Sequence, residues 1–250
     1  MDREPPLNSI LFLDIETVPM RERMEDLPDP FRKLWEKKAE NILRQEEMTA
    51  DEKFERAGIY AEFGKIVCVS VGFFTGPAGA FRLKSFYGED EKVLLEAFMA
   101  SLQDMEIFLR RKNMPLALCA HNGKEFDFPY LARRMLILGL KVPEILNVAG
   151  KKPWEVPFLD TMEMWKFGDR KSYTSLELLA ALFGIPTPKD DIDGSQVAAV
   201  YYKEKDVERI ARYCEKDVVT TARIYQRLTG MPPVAEEQVK WGFPSSGENQ

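Results

Sequence analysis

Two carboxylates near the N-terminus have a spacing that suits a metal site. Asp14 and Glu16 follow the apolar run Ser9–Leu13 and are separated by one residue. If this run is a strand, side chains two residues apart leave the same face of the sheet. Two like charges held this close are unfavourable unless a cation neutralises them, and oxygen ligands suit magnesium or manganese. The pair alone is weak evidence, because such pairs also occur on solvated strand edges.

Two later segments also place an acid where it would do chemistry. His121–Asp127 follows the apolar run Leu116–Ala120 and opens a predicted helix, where Asp127 would equally serve as a cap. Tyr213 and Asp217 are four residues apart on a predicted helix and therefore share a face. Taken separately, each segment is more typical of a structural role, either a helix cap or a core tyrosine beside a surface acid.

The composition argues against several classes of protein. The chain has 250 residues, enough for one large domain, with 35 Lys and Arg against 41 Asp and Glu. The net charge of −6 disfavours binding of polyanions through the overall field, so nucleic acid would meet a local basic patch or bound metal. The longest apolar run, Ile66–Phe74, is too short for a membrane span, and we predict no membrane association. Cys68, Cys119 and Cys214 predict buried reduced thiols in a cytoplasmic protein.

Hydrophobic periodicity predicts the elements that would position these residues. A β-rich start followed by alternating helices and strands favours an α/β domain with a mixed sheet. We predict a single domain over residues 1–230 with a helical insertion at about 20–60, then a flexible tail over 231–250. The predicted strands are Ser9–Leu13, Lys65–Phe74, Ala80–Tyr87, Leu116–Ala120 and one ending near Asp160, and the predicted helices are Pro28–Met48, Glu91–Lys112, Asp127–Leu138, one starting at the capping box Thr174–Glu177, and Asp206–Leu228.

In combination, the three acidic segments are far more specific than each is alone. A D-x-E strand, an N-x-x-x-F-D strand-to-helix junction and a Y-x-x-x-D helix, in this order, resemble the motifs of the exonuclease superfamily named for four acidic residues, in its tyrosine branch. The chain resembles the proofreading domain of family B DNA polymerases, and more closely the stand-alone bacterial proteins of that type. The resemblance covers most of residues 8–228, including 61–67, 191–197 and 213–221, whereas the insertion and the tail match poorly.

This resemblance implies a fold, a reaction and a set of site residues. The fold would be ribonuclease H-like, with a five-stranded mixed sheet flanked by helices on both faces. The protein would remove nucleoside 5′-monophosphates from the 3′ end of single-stranded nucleic acid, with DNA favoured over RNA. Two divalent cations, Mg²⁺ or Mn²⁺, would lie about 3.5–4 Å apart, and Tyr213 would orient the attacking water. The metal ligands would be Asp14, Glu16, Asp127 and Asp217.

Four more residues are candidates for holding the terminal nucleotide. Asn122 would form a hydrogen bond and Phe126 would stack on a base, while Thr17 and Ile15 would meet the terminal sugar or base. Ile15 and Phe126 could equally be core residues. The single histidine, His121, does not occupy the position that the superfamily's histidine branch requires, so only the tyrosine branch fits. One histidine is also too few for a histidine-rich zinc site. We interpret His121 as a structural residue.

The sequence bears on three alternative functions. A catalytically inactive nucleic-acid-binding module on the same fold would be favoured by a missing acid, and none is missing. An endonuclease or resolvase of this fold is disfavoured by the tyrosine motif. A structural protein whose acids are only caps requires three coincidences in the right order. Asp160 is interpreted as a helix cap rather than a residue that supports the site. The sequence indicates no protein partner.

Overall fold

A six-stranded mixed sheet forms the centre of the computed structural model, which describes residues 5–42, 48–76, 79–169, 173–186 and 192–242. The strands run in the order β5-β4-β1-β2-β3-β6, where β1 is antiparallel to β2 and parallel to β4. The α/β class and the mixed sheet are as predicted, but the sheet has a sixth strand. The strands are β1 (Ile10–Pro19), β2 (Gly64–Phe74), β3 (Phe81–Tyr87), β4 (Ala117–Ala120), β5 (Leu159–Asp160) and β6 (Val239–Lys240).

Helices cover both faces of this sheet, as predicted. One face packs against α3 and α4, and the other packs against α8. The predicted capping box at Thr174 is displaced by one residue, because Ser175 caps α6 and accepts a hydrogen bond from the Leu178 amide at 3.2 Å. No helix of the described residues is both long and apolar enough to cross a bilayer. The helices are α1 (Asp29–Ala39), α2 (Ala50–Phe54), α3 (Glu91–Arg110), α4 (Asp127–Ile137), α5 (Thr161–Lys166), α6 (Leu176–Phe183), α7 (Val197–Ala199) and α8 (Val207–Leu228).

Strand β1 divides the core into two layers by its alternation. Leu11, Leu13 and Ile15 are buried with the side chains of α3 and α4. Phe12 lies on the opposite face, where its ring makes edge contacts with aromatic rings that include Tyr225 of α8, at 5.5 Å between centroids. Because side chains alternate along a strand, Asp14 and Glu16 follow Phe12 toward the α8 face.

The predicted insertion is helical where it is described, but it is not one continuous helix. Helix α1 ends at Ala39, residues 43–47 lie outside the described residues, and α2 begins after a capping box between Thr49 and Glu52. The Trp35 indole is fully buried and donates a hydrogen bond to the Ala50 carbonyl at 2.8 Å. This tryptophan is the centre of a small apolar cluster of the insertion's own.

A buried ion pair fixes the start of β2 against two helices. Arg134 of α4 and Glu91 of α3 are joined by two hydrogen bonds of 2.8 and 2.6 Å, and both side chains are almost fully buried. Glu91 also accepts from the Ile66 amide at 2.8 Å, and Arg134 donates to the Ala61 carbonyl at 2.8 Å. The pair therefore holds the segment that leads into β2, which is the neighbour of β1.

The segment after α8 differs from the flexible tail predicted from residue 231. Arg223 of α8 donates to the Val234 carbonyl at 3.0 Å and pairs with Glu236 at 2.8 Å. Strand β6 then pairs in parallel with β3, and the Gly242 amide donates to the buried Glu215 at 3.2 Å. The sequence shows no periodicity here because the strand has two residues. Residues 243–250 of the predicted tail lie outside the described residues.

Candidate active site

Asp14 and Glu16 lie on the central strand β1, just beyond the residues that pair with β4. Asp14 is opposite Ser70 of β2 and Glu16 is opposite Cys68, and the next pairing joins Thr17 to Ile66. Val67 is therefore an extra residue on β2, a β-bulge of the kind that re-aims side chains beside functional sites. Asp14 is half-buried and Glu16 is 9% exposed. Both carboxylates are thus withdrawn from bulk water before any cation is considered.

Asp127 is brought to β1 by its side chain and not by a role as a helix cap. It is the first residue of α4, directly after the loop that follows β4, and it is 3% exposed. Its Oδ1 accepts a hydrogen bond from the Ile15 amide at 3.2 Å, across 112 positions of sequence. The N-cap residue of α4 is Phe126, which makes no side-chain cap. Asp127 therefore lies beside the Asp14–Glu16 pair.

Helix α8 presents Tyr213 and Asp217 to the same place. The two side chains are one turn apart and both are half-buried, and the charge of Asp217 acts on the Tyr213 hydroxyl. Between them, Cys214 donates its thiol to Asp14 Oδ2 at 3.2 Å and to the Asp14 carbonyl at 3.4 Å. These contacts fix α8 against β1, so the four predicted acids and the tyrosine share one site.

Burial and mutual repulsion shift the protonation of these carboxylates. Burial raises the pKa of Asp14 well above its usual range, and the charges of Asp127 and Asp217 raise it further. Burial, followed by the charge of Asp14, does the same for Glu16. For Asp127, burial is again the largest cause and raises the pKa to about 7. A cluster of oxygen ligands that repel one another is the environment that a hard divalent cation relieves.

The tyrosine hydroxyl stays protonated in this environment. Burial raises the pKa of Tyr213, and the nearby charge of Asp217 raises it further, followed by those of Glu16 and Asp14. A phenol whose pKa lies above its ordinary range cannot serve as a base near neutral pH. Tyr213 can therefore donate a hydrogen bond but not accept a proton.

Cys214 is a site residue whose contact the sequence analysis did not find. Its sulfur and oxygens of Asp14 and Glu16 lie within 4.8 Å of one another. The three cysteines are free and buried, as predicted, and burial raises the pKa of the Cys214 thiol, which keeps it a donor to Asp14. Its position on the Asp217 face of α8, three residues earlier, is the signal that could have revealed the contact.

Asp160 both caps a helix and supports the loop that carries Asn122. It is 3% exposed and accepts from the Met162 amide at 2.9 Å as the cap of α5. It also accepts from the Asn122 and Lys124 amides, each at 3.0 Å. The cap predicted for Asp160 is therefore correct, but the supporting role that we had disfavoured is present as well.

The four residues predicted to contact the substrate lie in different environments. Asn122 has a left-handed backbone with φ of 58°, and its side-chain oxygen is buried without a hydrogen-bond partner among the described residues. Thr17 is half-buried, and Phe126 is half-buried against the Tyr130 ring, at 5.3 Å between centroids. The Ile15 side chain is 4% exposed in the core on the opposite face from Asp14. Its burial favours the core alternative, which leaves its amide as its contribution to the site.

His121 has the structural role that we predicted for it. Its ring nitrogens contact Thr161 Oγ1 at 2.8 Å and the Thr174 carbonyl at 3.0 Å. It thereby joins the end of β4 to the start of α5 and to the segment before α6. Burial lowers the pKa of His121, so the ring is neutral at neutral pH.

The segment 191–197, part of the resemblance to the exonucleases, lies partly beside the tyrosine. Asp191 is outside the described residues. A side-chain carbon added at Gly194 would be 4.0 Å from the Tyr213 hydroxyl, so this loop passes close to the hydroxyl.

The carboxylate cluster predicts how pH changes the stability of the metal-free protein. The pKa of Asp127 is about 7 in the folded chain, against an ordinary value of 3.8, so the folded state binds the proton more tightly. This group therefore costs stability increasingly as pH rises from about 4 to 7. In EDTA, the Asp127→Asn variant should gain Tm relative to wild type on going from about pH 5 to 8. Melting curves measure this, and His121 contributes equally to both proteins. A constant difference in Tm would contradict the shift.

Three comparisons place this geometry among known proteins. A DNA polymerase from Pyrococcus glycovorans is 26% identical over 145 residues, which cover 49% of this chain and 18% of the polymerase. Three-prime repair exonuclease 1 from Bos taurus is 29% identical over 144 residues, 54% of this chain and 43% of that protein. The solved structure of the family B DNA polymerase from the hyperthermophilic archaeon Pyrobaculum calidifontis has a TM-score of 0.55 at 17% identity, covering 92% of this chain and 25% of that one. The likeness confirms the ribonuclease H-like fold, and the chain spans less than half the length of each of these proteins.

The match to a protein family covers more of the chain than either of the two sequence relatives does. It extends over residues 59–238, from before β2 to the end of α8 and on to β6. It includes Asp127, Tyr213 and Asp217, and it begins after the helical insertion. The chain therefore belongs to the family described as predicted 3′–5′ exonucleases related to the exonuclease domain of PolB.

Proposed function

We propose that this protein is a metal-dependent 3′–5′ exonuclease that releases nucleoside 5′-monophosphates from single-stranded nucleic acid, with DNA favoured. One observation carries the proposal. Four carboxylates from β1, α4 and α8 converge in a largely buried site beside a protonated tyrosine. Family membership and the similarity to three-prime repair exonuclease 1 support the direction of hydrolysis.

The donor set suits two hard divalent cations, Mg²⁺ or Mn²⁺. The oxygens of Asp14, Glu16, Asp127 and Asp217 would hold them, and the raised pKa values of the first three reflect the burial and the mutual repulsion that such ions would offset. When bound, these ions neutralise the phosphodiester charge and activate water. The Cys214 thiol holds one oxygen of Asp14, and the Ile15 amide holds one oxygen of Asp127, so each carboxylate is oriented beforehand.

Tyr213 would orient the attacking water and not deprotonate it. Its hydroxyl lies near the Asp217 carboxylate, and burial, followed by that charge, raises its pKa and keeps the proton in place. A water that accepts a hydrogen bond from this hydroxyl loses rotational freedom before it attacks the phosphorus. The 3′-terminal nucleotide would be held by the Asn122 side chain, whose buried oxygen has no hydrogen-bond donor among the described residues, with Thr17 and Phe126 beside it.

Three single-stranded substrates, labelled uniformly along the chain, test the proposal directly. One carries a free 3′ hydroxyl, one carries a blocked 3′ end, and one is a closed circle, and each is incubated with Mg²⁺ or Mn²⁺. The expected result is mononucleotides from the free end alone, identified as 5′-phosphates. Cleavage of the circle would overturn the proposal in favour of an endonuclease, and binding without hydrolysis would favour an inactive module. A matched RNA strand measures the preference for DNA.

The Tyr213→Phe variant should lower turnover by about 10²-fold, because the ring is kept and only the hydroxyl that orients the water is lost. Cation binding should be unchanged, since the carboxylates remain. Initial rates and the Mg²⁺ dependence of Tm measure the two effects separately. Tyr60→Phe, in the helical insertion, is the matched control and should keep the wild-type rate. Equal rates for the two variants would remove Tyr213 from the mechanism.

A further inference from the structure

A second concave surface lies on the opposite face of the sheet from the carboxylates. It is a cavity of about 470 Å³ between the β2–β3 hairpin and the C-terminal half of α3. Val71, Phe73 and Phe86 form its floor, and Phe98, Leu102 and Met105 form its wall. Val71 directly follows Ser70, the partner of Asp14, and its side chain leaves the opposite face of β2, so the sheet itself separates the cavity from the acids.

Three cations surround this cavity. Arg82, Lys84 and Lys112 line it with exposed side chains, against a single acid, Asp104. Within the described part of the chain, none of the three forms an ion pair. The Lys84 ammonium lies 4.8 Å from the centre of the Phe86 ring. In a chain with a net charge of −6, such a concentration of unpaired cations is a local feature and not a consequence of composition.

The interior of the cavity selects an apolar group over a nucleobase. Phe98 and Leu102 are at most 2% exposed, and most of the inner lining is hydrocarbon. A base inserted here would leave the polar atoms of its edge without hydrogen bonds, which costs free energy. Aliphatic or aromatic side chains have no polar edge atoms that would lose hydrogen bonds. The cavity volume falls in the range of pockets that hold small ligands. Phe108, which is 54% exposed at the rim, extends the apolar surface.

We propose that this cavity is a docking site for an acidic peptide segment of a partner protein, with large apolar side chains entering the cavity and flanking carboxylates meeting Arg82, Lys84 and Lys112. The apolar anchors would supply most of the affinity, and the carboxylates would supply the orientation and the association rate. This site is separate from the carboxylate cluster and does not depend on the proposed hydrolysis.

Fluorescence anisotropy with labelled peptides tests the site. The probe is a short peptide with an adjacent Phe-Leu pair between aspartates. One control replaces the aspartates with asparagines, and the other replaces Phe-Leu with Ser-Ser. The protein variant is Lys84→Glu/Lys112→Glu, whose positions are exposed, and its matched control is Lys92→Glu/Lys141→Glu, at exposed positions outside the cavity lining.

The probe should bind wild type and the Lys92/Lys141 control equally, and bind the Lys84/Lys112 variant at least about ten-fold more weakly. Both altered peptides should also bind more weakly, and affinity should fall with added salt. Nuclease activity should be the same in all three proteins. Equal affinity in the two double variants would overturn the proposal. Competition for the cavity by a single-stranded oligonucleotide would also overturn it and would identify a nucleic-acid site. Absence of peptide binding would overturn it as well.

Discussion

We expect the Asp14→Asn variant to release mononucleotides about 10³-fold more slowly than wild type, the equivalent of about 4 kcal/mol of lost transition-state stabilisation. The substitution keeps the shape of the side chain and one of its two oxygens, so the Cys214 thiol retains an acceptor at this position. It removes one negative charge from a cluster that is proposed to bind cations. The loss should therefore appear in cation affinity and in rate together, while the fold is kept.

The same variant should melt at a higher temperature than wild type in EDTA, because it removes a buried charge that Asp127 and Asp217 repel. Rates across a Mg²⁺ titration, with Tm at each concentration, measure both consequences. Asp51→Asn, an exposed acid of α2, is the matched control and should change neither quantity. An Asp14→Asn protein with wild-type cation dependence would contradict the assignment of Asp14 as a ligand.

The largest effect on stability is expected from Arg134→Met. This change leaves Glu91 buried without its cation and leaves the Ala61 carbonyl without its donor. Removing one partner of a buried ion pair costs about 3–5 kcal/mol, because the other charge stays desolvated. For a chain of this size, the loss corresponds to a fall in Tm of roughly 10 °C.

Two companion variants separate this explanation from general disruption. Glu91→Gln combined with Arg134→Met removes the orphaned charge but keeps an acceptor for the Ile66 amide, so it should recover part of the lost stability. Arg110→Met breaks an exposed pair with Glu106 and should cost less than about 1 kcal/mol. Thermal and urea unfolding provide the comparison. Equal losses in Arg134→Met and Arg110→Met would show that the buried pair contributes little.

Local periodicity was sufficient to predict the residue pairs of the site that lie within a single strand or helix. The alternation of β1 placed Asp14 and Glu16 on one face, and the helical repeat placed Tyr213 beside Asp217. The hydrogen bond of Asp127 to the Ile15 amide joins residues 112 positions apart. No local pattern encodes such a contact, which is why a helix cap remained an equally good interpretation of Asp127. The motif order supplied what periodicity could not.

The errors have the same physical origin. Asp160 was interpreted from its neighbours in sequence as a cap, whereas two of its hydrogen bonds go to a loop that precedes it by more than thirty positions. Strand β6 has only two residues, and it forms because its backbone pairs with that of β3. Cys214 was interpreted only as a buried reduced thiol, because its contact with Asp14 depends on how α8 packs across β1.

The short strand β6 also limits how copies of this protein can associate. A free strand edge is a template on which another chain can add, and proteins protect such edges with short strands and charges. Here β6 pairs with Phe81 and Arg82, and the Gly242 amide is held by Glu215, whose other oxygen accepts from Ser85 of β3. A chain shortened after Gly230 would keep every acid of the site but expose this edge. Its defect should appear in light scattering as self-association, before any loss of chemistry.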